Sequence, residues 1–155
     1  MIRQFQPQDA ASCSRLIHAC LENDPFYSSA VRQKIGRLET EQAMMERARL
    51  FYVAVCTSEG EVVGVAGLDM NEIRILCVSP EHRRVGIGRA LFRHIKAMVP
   101  GFLFSDIFVY SSPQAVDFYR ACGFVEKGPF VFDLDGEPLQ TIFMTSATNP
   151  PLSSG

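Results

Sequence analysis

Val78-Ser79-Pro80-Glu81-His82-Arg83-Arg84-Val85-Gly86-Ile87-Gly88-Arg89-Ala90-Leu91-Phe92 is the stretch on which the fold of this chain turns. Ser79-Pro80 stops the strand-like run before it. Gly86 and Gly88 let the backbone turn tightly and approach a ligand closely. A helix follows, with Ile87, Leu91, Ile95 and Met98 on one stripe, and Pro100-Gly101 ends it. The first N–H groups of a helix have no intrahelical partner, and the helix dipole favours an anion there. Arg83, Arg84 and Arg89 add positive charge, and His82 adds a donor. The stretch thus has the makings of a diphosphate site. The plainer alternative is a strand-to-helix connection with glycines for turning and arginines for solubility. The preceding buried strand, the arginine cluster and the amphipathic helix weigh against it. Leu91 stands where a dinucleotide turn needs its third glycine, and no Gly-Lys-Ser/Thr follows.

Upstream, Glu72 to Val78 reads as a strand with Ile73, Ile75 and Cys77 on one side and Arg74, Leu76 and Val78 on the other. Apolar residues on both faces predict a central strand covered twice. Phe51 to Thr57 and Glu61 to Leu68 read as a hairpin around Ser58-Glu59-Gly60. Ile2 to Phe5 is strand-like, and Pro7 opens a helix carrying Ala10, Cys13, Leu16, Ile17, Cys20 and Leu21 at helical spacing. Phe26 to Arg37 is either a weak helix or a mobile connection, and Thr40 caps a helix from Glu41 to about Arg49. Downstream, Phe104 to Tyr110 reads as a strand. Ser112-Pro113 starts a helix as N-cap and N1, burying Ala115, Phe118, Tyr119 and Cys122 up to Gly123. Phe130 to Leu134 and Leu139 to Thr145 form a closing hairpin around Asp135-Gly136. One domain over residues 1–146 is expected, with a flexible tail over 147–155.

The 155 residues suit a single core. Hydrophobic residues at 47% and charged residues at 21% are globular values. A net charge of −2 gives no global push toward nucleic acid or anionic membrane, so neither is expected as a partner. No apolar run reaches the ~20 residues of a membrane span, and the first residues carry no signal-peptide core. Cys13, Cys20, Cys56, Cys77 and Cys122 are odd in number and scattered, which suggests free thiols and a reducing cytoplasm. His18, His82 and His94 lack ligand spacing, so no metal is expected. His94 reads as solvated beside Arg93 and Lys96.

Arg83-Arg84-Val85-Gly86-Ile87-Gly88 resembles the R/Q-x-x-G-x-G/A signature of the GNAT superfamily of N-acetyltransferases. Ala115-Val116-Asp117-Phe118-Tyr119-Arg120-Ala121-Cys122-Gly123-Phe124 is similar to the family's second motif, A-x-x-F-Y-x-x-x-G-F. The order of elements agrees from Ile2 to Thr145. The resemblance implies an α/β (α+β) fold with a mixed, mostly antiparallel central sheet of about six to seven strands, flanked by helices and splayed between the fourth and fifth strands. It implies acetyl-CoA as co-substrate, with N–H groups of Arg84, Val85, Gly86, Ile87, Gly88 and Arg89 on the diphosphate. Arg83 lends charge, and the backbone of Leu76, Cys77 and Val78 lies along the pantetheine. Phe118 reads as packing along that arm. The family often has an asparagine where Ser111 and Ser112 stand here, and either serine could replace that contact. A homodimer is compatible with the family.

The same resemblance places Tyr119 beside the sulfur as general acid and makes Glu72 the candidate base. The plainer readings are a core aromatic and an exposed strand-edge carboxylate. Asp69 and Glu22 are weaker acidic candidates, and Cys77 as an acyl-carrying nucleophile is disfavoured because a buried strand thiol is usually inert. The expected activity is acetyl transfer from acetyl-CoA to a primary amine by direct attack. The alternative is an acyl-CoA-sensing module without turnover. The acceptor site is expected between the Asp24 to Thr40 region and the Phe130 to Leu139 hairpin.

Overall fold

The computed structural model describes residues 1–148. Seven strands form one sheet: β1 (Ile2–Gln4), β2 (Tyr52–Ser58), β3 (Glu61–Asp69), β4 (Glu72–Val78), β5 (Asp106–Ser111), β6 (Val125–Leu134) and β7 (Glu137–Ala147). Their order is β1-β2-β3-β4-β5-β7-β6. Every neighbouring pair is antiparallel except β4 and β5, which run parallel. This is the mixed, mostly antiparallel sheet expected. The helices are α1 (Ala10–Glu22), α2 (Ser29–Leu38), α3 (Glu41–Leu50), α4 (Ile87–Lys96) and α5 (Val116–Ala121).

Two cores sandwich the sheet. On one face α4 and α5 bury Leu91, Phe92, Ile95, Tyr119 and Phe124 against Val63, Ile73, Ile107, Val109 and Met144. On the other, α1 and α3 bury Cys13, Leu16, Ile17 and Met44 against Val53, Val55 and Val65. Each fully buried aliphatic side chain contributes about 1.5–3 kcal/mol of transfer free energy, so these two layers dominate stability. Gly64 lets α4 settle onto β3, because a Cβ there would lie 2.7 Å from Leu91 Cδ1.

The ambiguous stretch is helical from Ser29, since the Ser28 hydroxyl accepts the Val31 N–H and so satisfies one free donor. Thr40 caps α3 in the same way through Ala43 N–H. Asp135 and Gly136 both take positive φ (50° and 89°), as a two-residue hairpin turn requires.

Several sequence expectations change. Gly67 pairs with Ile75 and Leu68 with Ile73, which leaves Arg74 as an extra, bulged residue. The bulge moves Ile73 to the α4 face, while Ile75 and Cys77 pack toward α1 and α3. Helix α4 stops at Lys96, so Met98 is exposed and Val99 is the buried residue instead. The strand predicted from Phe104 starts at Asp106. Ser112 precedes a 3-10 turn, Pro113–Ala115, but makes no side-chain cap. His94 is bonded to the Tyr52 hydroxyl (2.7 Å) rather than solvated. The last strand runs to Ala147, and residues 149–155 lie outside the described residues.

Candidate active site

The centre of the molecule is a splay between β4 and β5. Only Glu72–Phe108 and Ile73–Val109 are in register, after which the strands diverge. The β4 residues beyond Arg74 therefore have a partner on the β3 side and an open edge on the other. Ser79 N–H donates to Val63 O (2.8 Å), so by the two-residue period the polar groups of Cys77 also face β3. Those of Leu76 and Val78 face the gap. Val78 carbonyl already receives the Cys20 thiol (3.3 Å) and Arg83 Nε (3.4 Å) there.

Beyond Val78 a 3-10 turn, Pro80–His82, leads into the basic turn. Arg84 and Gly86 both take positive φ (66° and 88°), and Gly86 is the residue before α4. Among the described residues no backbone N–H from Arg83 to Arg89 donates to a carbonyl; the next to do so is Ala90 N–H, to Gly86. This row of free donors stands at the positive end of a ten-residue helix, an arrangement that suits an anion. Arg89 reaches the Ala121 carbonyl at the end of α5 (3.4 Å).

Helix α5 closes the gap from the α4 side. Phe118 lies against Gly88, and Tyr119 is buried with its ring between Phe118 and Phe124. Burial above all, with the Cys77 and Cys122 thiols nearby, pushes the Tyr119 phenol far above its ordinary pKa. Its hydroxyl has no hydrogen-bond partner among the described residues. There, only His82 Nδ1 is both unpaired and sealed from solvent, so the phenol oxygen keeps some contact with solvent.

Glu72 sits at the closed end of the splay and is not the exposed strand-edge residue of the plainer reading. Its side chain is 19% exposed and 3.7 Å from Arg74 Nε. Burial raises its pKa, which Arg74 opposes and Asp69 reinforces. Asp69 pairs with Arg74 (3.5 Å). Ser111 is buried and its hydroxyl donates to Ser112 O (2.7 Å), which leaves Ser112 as the freer hydroxyl.

The α1–α2 connection supplies what the sequence did not flag. Tyr27 comes within reach of Ser112, and burial followed by Asp24 pushes its pKa up to about 12. Cys20 and Cys77 face each other beneath it. The Cys77 thiol and Arg83 hold Cys20 below its ordinary pKa, while Cys20 and burial raise Cys77. A second missed feature is the aromatic alternation Phe108/Tyr110 and Phe130/Phe132, a period-2 signal of one strand face. A groove between α1 and α2, lined by His18, Glu22, Arg32 and Arg37, contains none of the residues at the splay. Among the described residues no helix is long and apolar enough to cross a membrane.

Residues 14–134 match the family described as Acetyltransferase (GNAT) domain. The peptidyl-lysine N-acetyltransferase YjaB of Salmonella typhimurium is 33% identical over 113 residues, covering 73% of this chain and 74% of that protein. The crystal structure of a GCN5-related N-acetyltransferase from Rhodopseudomonas palustris superposes with a TM-score of 0.88 at 23% identity, over 95% of this chain and 94% of the other. PaiA N-acetyltransferase from Thermoplasma acidophilum, solved in complex with coenzyme A, gives 0.75 at 17% identity, over 95% and 98%.

Proposed function

The chain belongs to the GNAT acetyltransferase family and is an acetyl-CoA-dependent N-acetyltransferase, and from that premise we propose direct transfer of the acetyl group to a primary amine in a ternary complex. The observation that carries this reading is the splay. It leaves Leu76 and Val78 polar groups facing a gap that ends at the unpaired N–H row of Arg83 to Arg89. The diphosphate of acetyl-CoA sits on that row, with Arg83 and Arg84 as counter-charge. The pantetheine amides pair with the open edge of β4 around Cys77, Phe118 flanks them, and Ser112 offers the hydroxyl contact. The cell compartment that fits this co-substrate and the free thiols is the cytoplasm.

Chemistry follows in three movements. The neutral amine attacks the thioester carbonyl, and Val78 N–H stabilises the developing oxyanion. Glu72 removes the amine proton. It stands six residues from Val78, roughly 20 Å along an extended strand, so the proton travels through a chain of waters. The C–S bond then breaks, and the CoA thiolate takes the Tyr119 proton, which solvent restores. A buried phenol with a raised pKa is protonated throughout the neutral range, and the same burial raises the thiolate's proton affinity.

The test is thiol release from acetyl-CoA with a broad amine panel, for the parent chain and for Tyr119→Phe. Amine-dependent release that falls in the variant supports the reading. Tight acetyl-CoA binding with no release for any amine would favour a sensing module instead.

A further inference from the structure

Among the described residues, half of one sheet face has no helix packed across it beyond the contact of α2 with β7 at its edge. Helices α1 and α3 bury that face of β2, β3 and β4, but across the splay it continues over β5, β7 and β6. Register places Phe108 and Tyr110 there, opposite to buried Ile107 and Val109, with Phe143 beside Tyr110. Phe130 and Phe132 join them through their pairing with Thr141 and Leu139. The rings form one cluster: Tyr110 is 5.1 Å from Phe130, 5.1 Å from Phe132 and 5.2 Å from Phe143, which is 5.8 Å from Phe108. None of the five belongs to either buried core, and Phe130 and Phe132 remain 45% and 38% exposed.

The cluster has one acidic edge. Glu72 is in register with Phe108 and, because Ile73 turns toward α4, its side chain turns to the aromatic face. Lys34 of α2 bonds the Asp135 carbonyl, so α2 flanks the far end. Of the acidic groups nearby, Asp133 accepts the Gly136 N–H, and Arg74 lies between Asp69 (3.5 Å) and Glu72 (3.7 Å).

We propose that this face is the acceptor subsite and takes a primary amine carried on an aromatic body, an arylalkyl amine with its nitrogen toward Glu72. The proposal rests on the acetyl-transfer reading above. Rings at these spacings accept a further ring by offset or edge stacking, and their negative faces attract the ammonium before it is deprotonated. A hydroxyl-rich or polycationic acceptor needs carboxylates across the area it covers; on this face they stand at the edges, Glu72 and Asp106 beside Phe108 and Glu137 beyond Leu139, and rings fill the middle.

The experiment compares kcat/KM for 2-phenylethylamine, spermidine and a lysine-containing peptide at saturating acetyl-CoA, for the parent chain and for Phe130→Ser and Phe132→Ser. The expected preference for 2-phenylethylamine is about tenfold or more. Each variant should raise its KM about tenfold while acetyl-CoA affinity, titrated directly as the control for folding, stays unchanged. Efficient acetylation of spermidine or the peptide with no preference for the aryl amine overturns the subsite and leaves acetyl transfer standing. So does a KM for 2-phenylethylamine that ignores both substitutions. No release with any of the three amines, despite acetyl-CoA binding, overturns the enzyme reading and the subsite together.

Discussion

Phe118 of α5 rests on the bare backbone of Gly88: a Cβ built at Gly88 would stand 3.1 Å from Phe118 Cε2. The contact ties the second motif to the glycine turn and explains why a residue without a side chain is needed there. Gly88→Val should displace the ring and weaken acetyl-CoA about tenfold by calorimetric titration. Phe118→Leu in the same chain should recover part of that loss, and strictly additive effects would show that the two residues do not share the site.

Tyr119→Phe separates catalysis from folding. Its hydroxyl has no protein partner among the described residues, so the melting temperature should hardly move. Turnover should fall about a hundredfold, because a general acid contributes on that order. Tyr119→Ala, by contrast, empties the core around Phe92 and Phe124 and should cost about 3–5 kcal/mol in denaturant unfolding. Unchanged kcat in the phenylalanine variant would remove the acid assignment.

As the proposed base Glu72 works only when ionised, and burial raises its pKa above the ordinary 4.5. The acid limb of kcat/KM against pH should therefore lie above the usual carboxylate range and disappear in Glu72→Gln, where the remaining rate rises with free amine alone. A limb that survives the substitution assigns it to another group.

Arg3 holds Asp9 through two bonds (2.7 and 2.9 Å), joining β1 to the start of α1, and Gln6 N–H adds a third (2.8 Å). These partners, Arg3 first, outweigh burial and lower the Asp9 pKa. A carboxylate with a depressed folded pKa stabilises above its unfolded value, about 3.9, and loses that contribution as pH falls through the lower folded value. Asp9→Asn should cost about 1–2 kcal/mol at neutral pH, the exposed side of Arg3 keeping it below the cost of a fully buried pair. The difference between the two chains should shrink toward pH 2 in urea titrations.

Among the five thiols Cys20 is the one held below its ordinary pKa, while burial pushes Cys13 up to about 12. Iodoacetamide at neutral pH should label Cys20 first and Cys13 last in peptide mapping. Acetyl-CoA should slow labelling of Cys20, since its thiol meets the Val78 carbonyl in the cleft.

Much of this protein was legible along the chain. The Gly86/Gly88 turn, the caps at Ser28 and Thr40 and the Asp135-Gly136 hairpin are written in residues only a few positions apart, where conformational preference acts directly. The two motifs likewise identified the donor side of the reaction. The Arg74 bulge was not legible, because an extra residue shows only against its partner strand: Leu68 and Gly67 decide that Ile73 and Ile75 face opposite ways. The His94–Tyr52 bond and the approach of Tyr27 to Ser112 were hidden for the same reason, each joining groups far apart in sequence.

The Gly86/Gly88 turn and the Phe118-Tyr119 helix were thus determined by the sequence itself, because free N–H groups, glycine and helical periodicity are local properties. The resemblance already implied a splay between the fourth and fifth strands; only the tertiary structure decided that it opens after the Ile73–Val109 pair, and that an aromatic face with Glu72 at its edge adjoins it. Strand pairing sets those relationships, and the side chains it brings together have no neighbourhood in the chain until the sheet has formed.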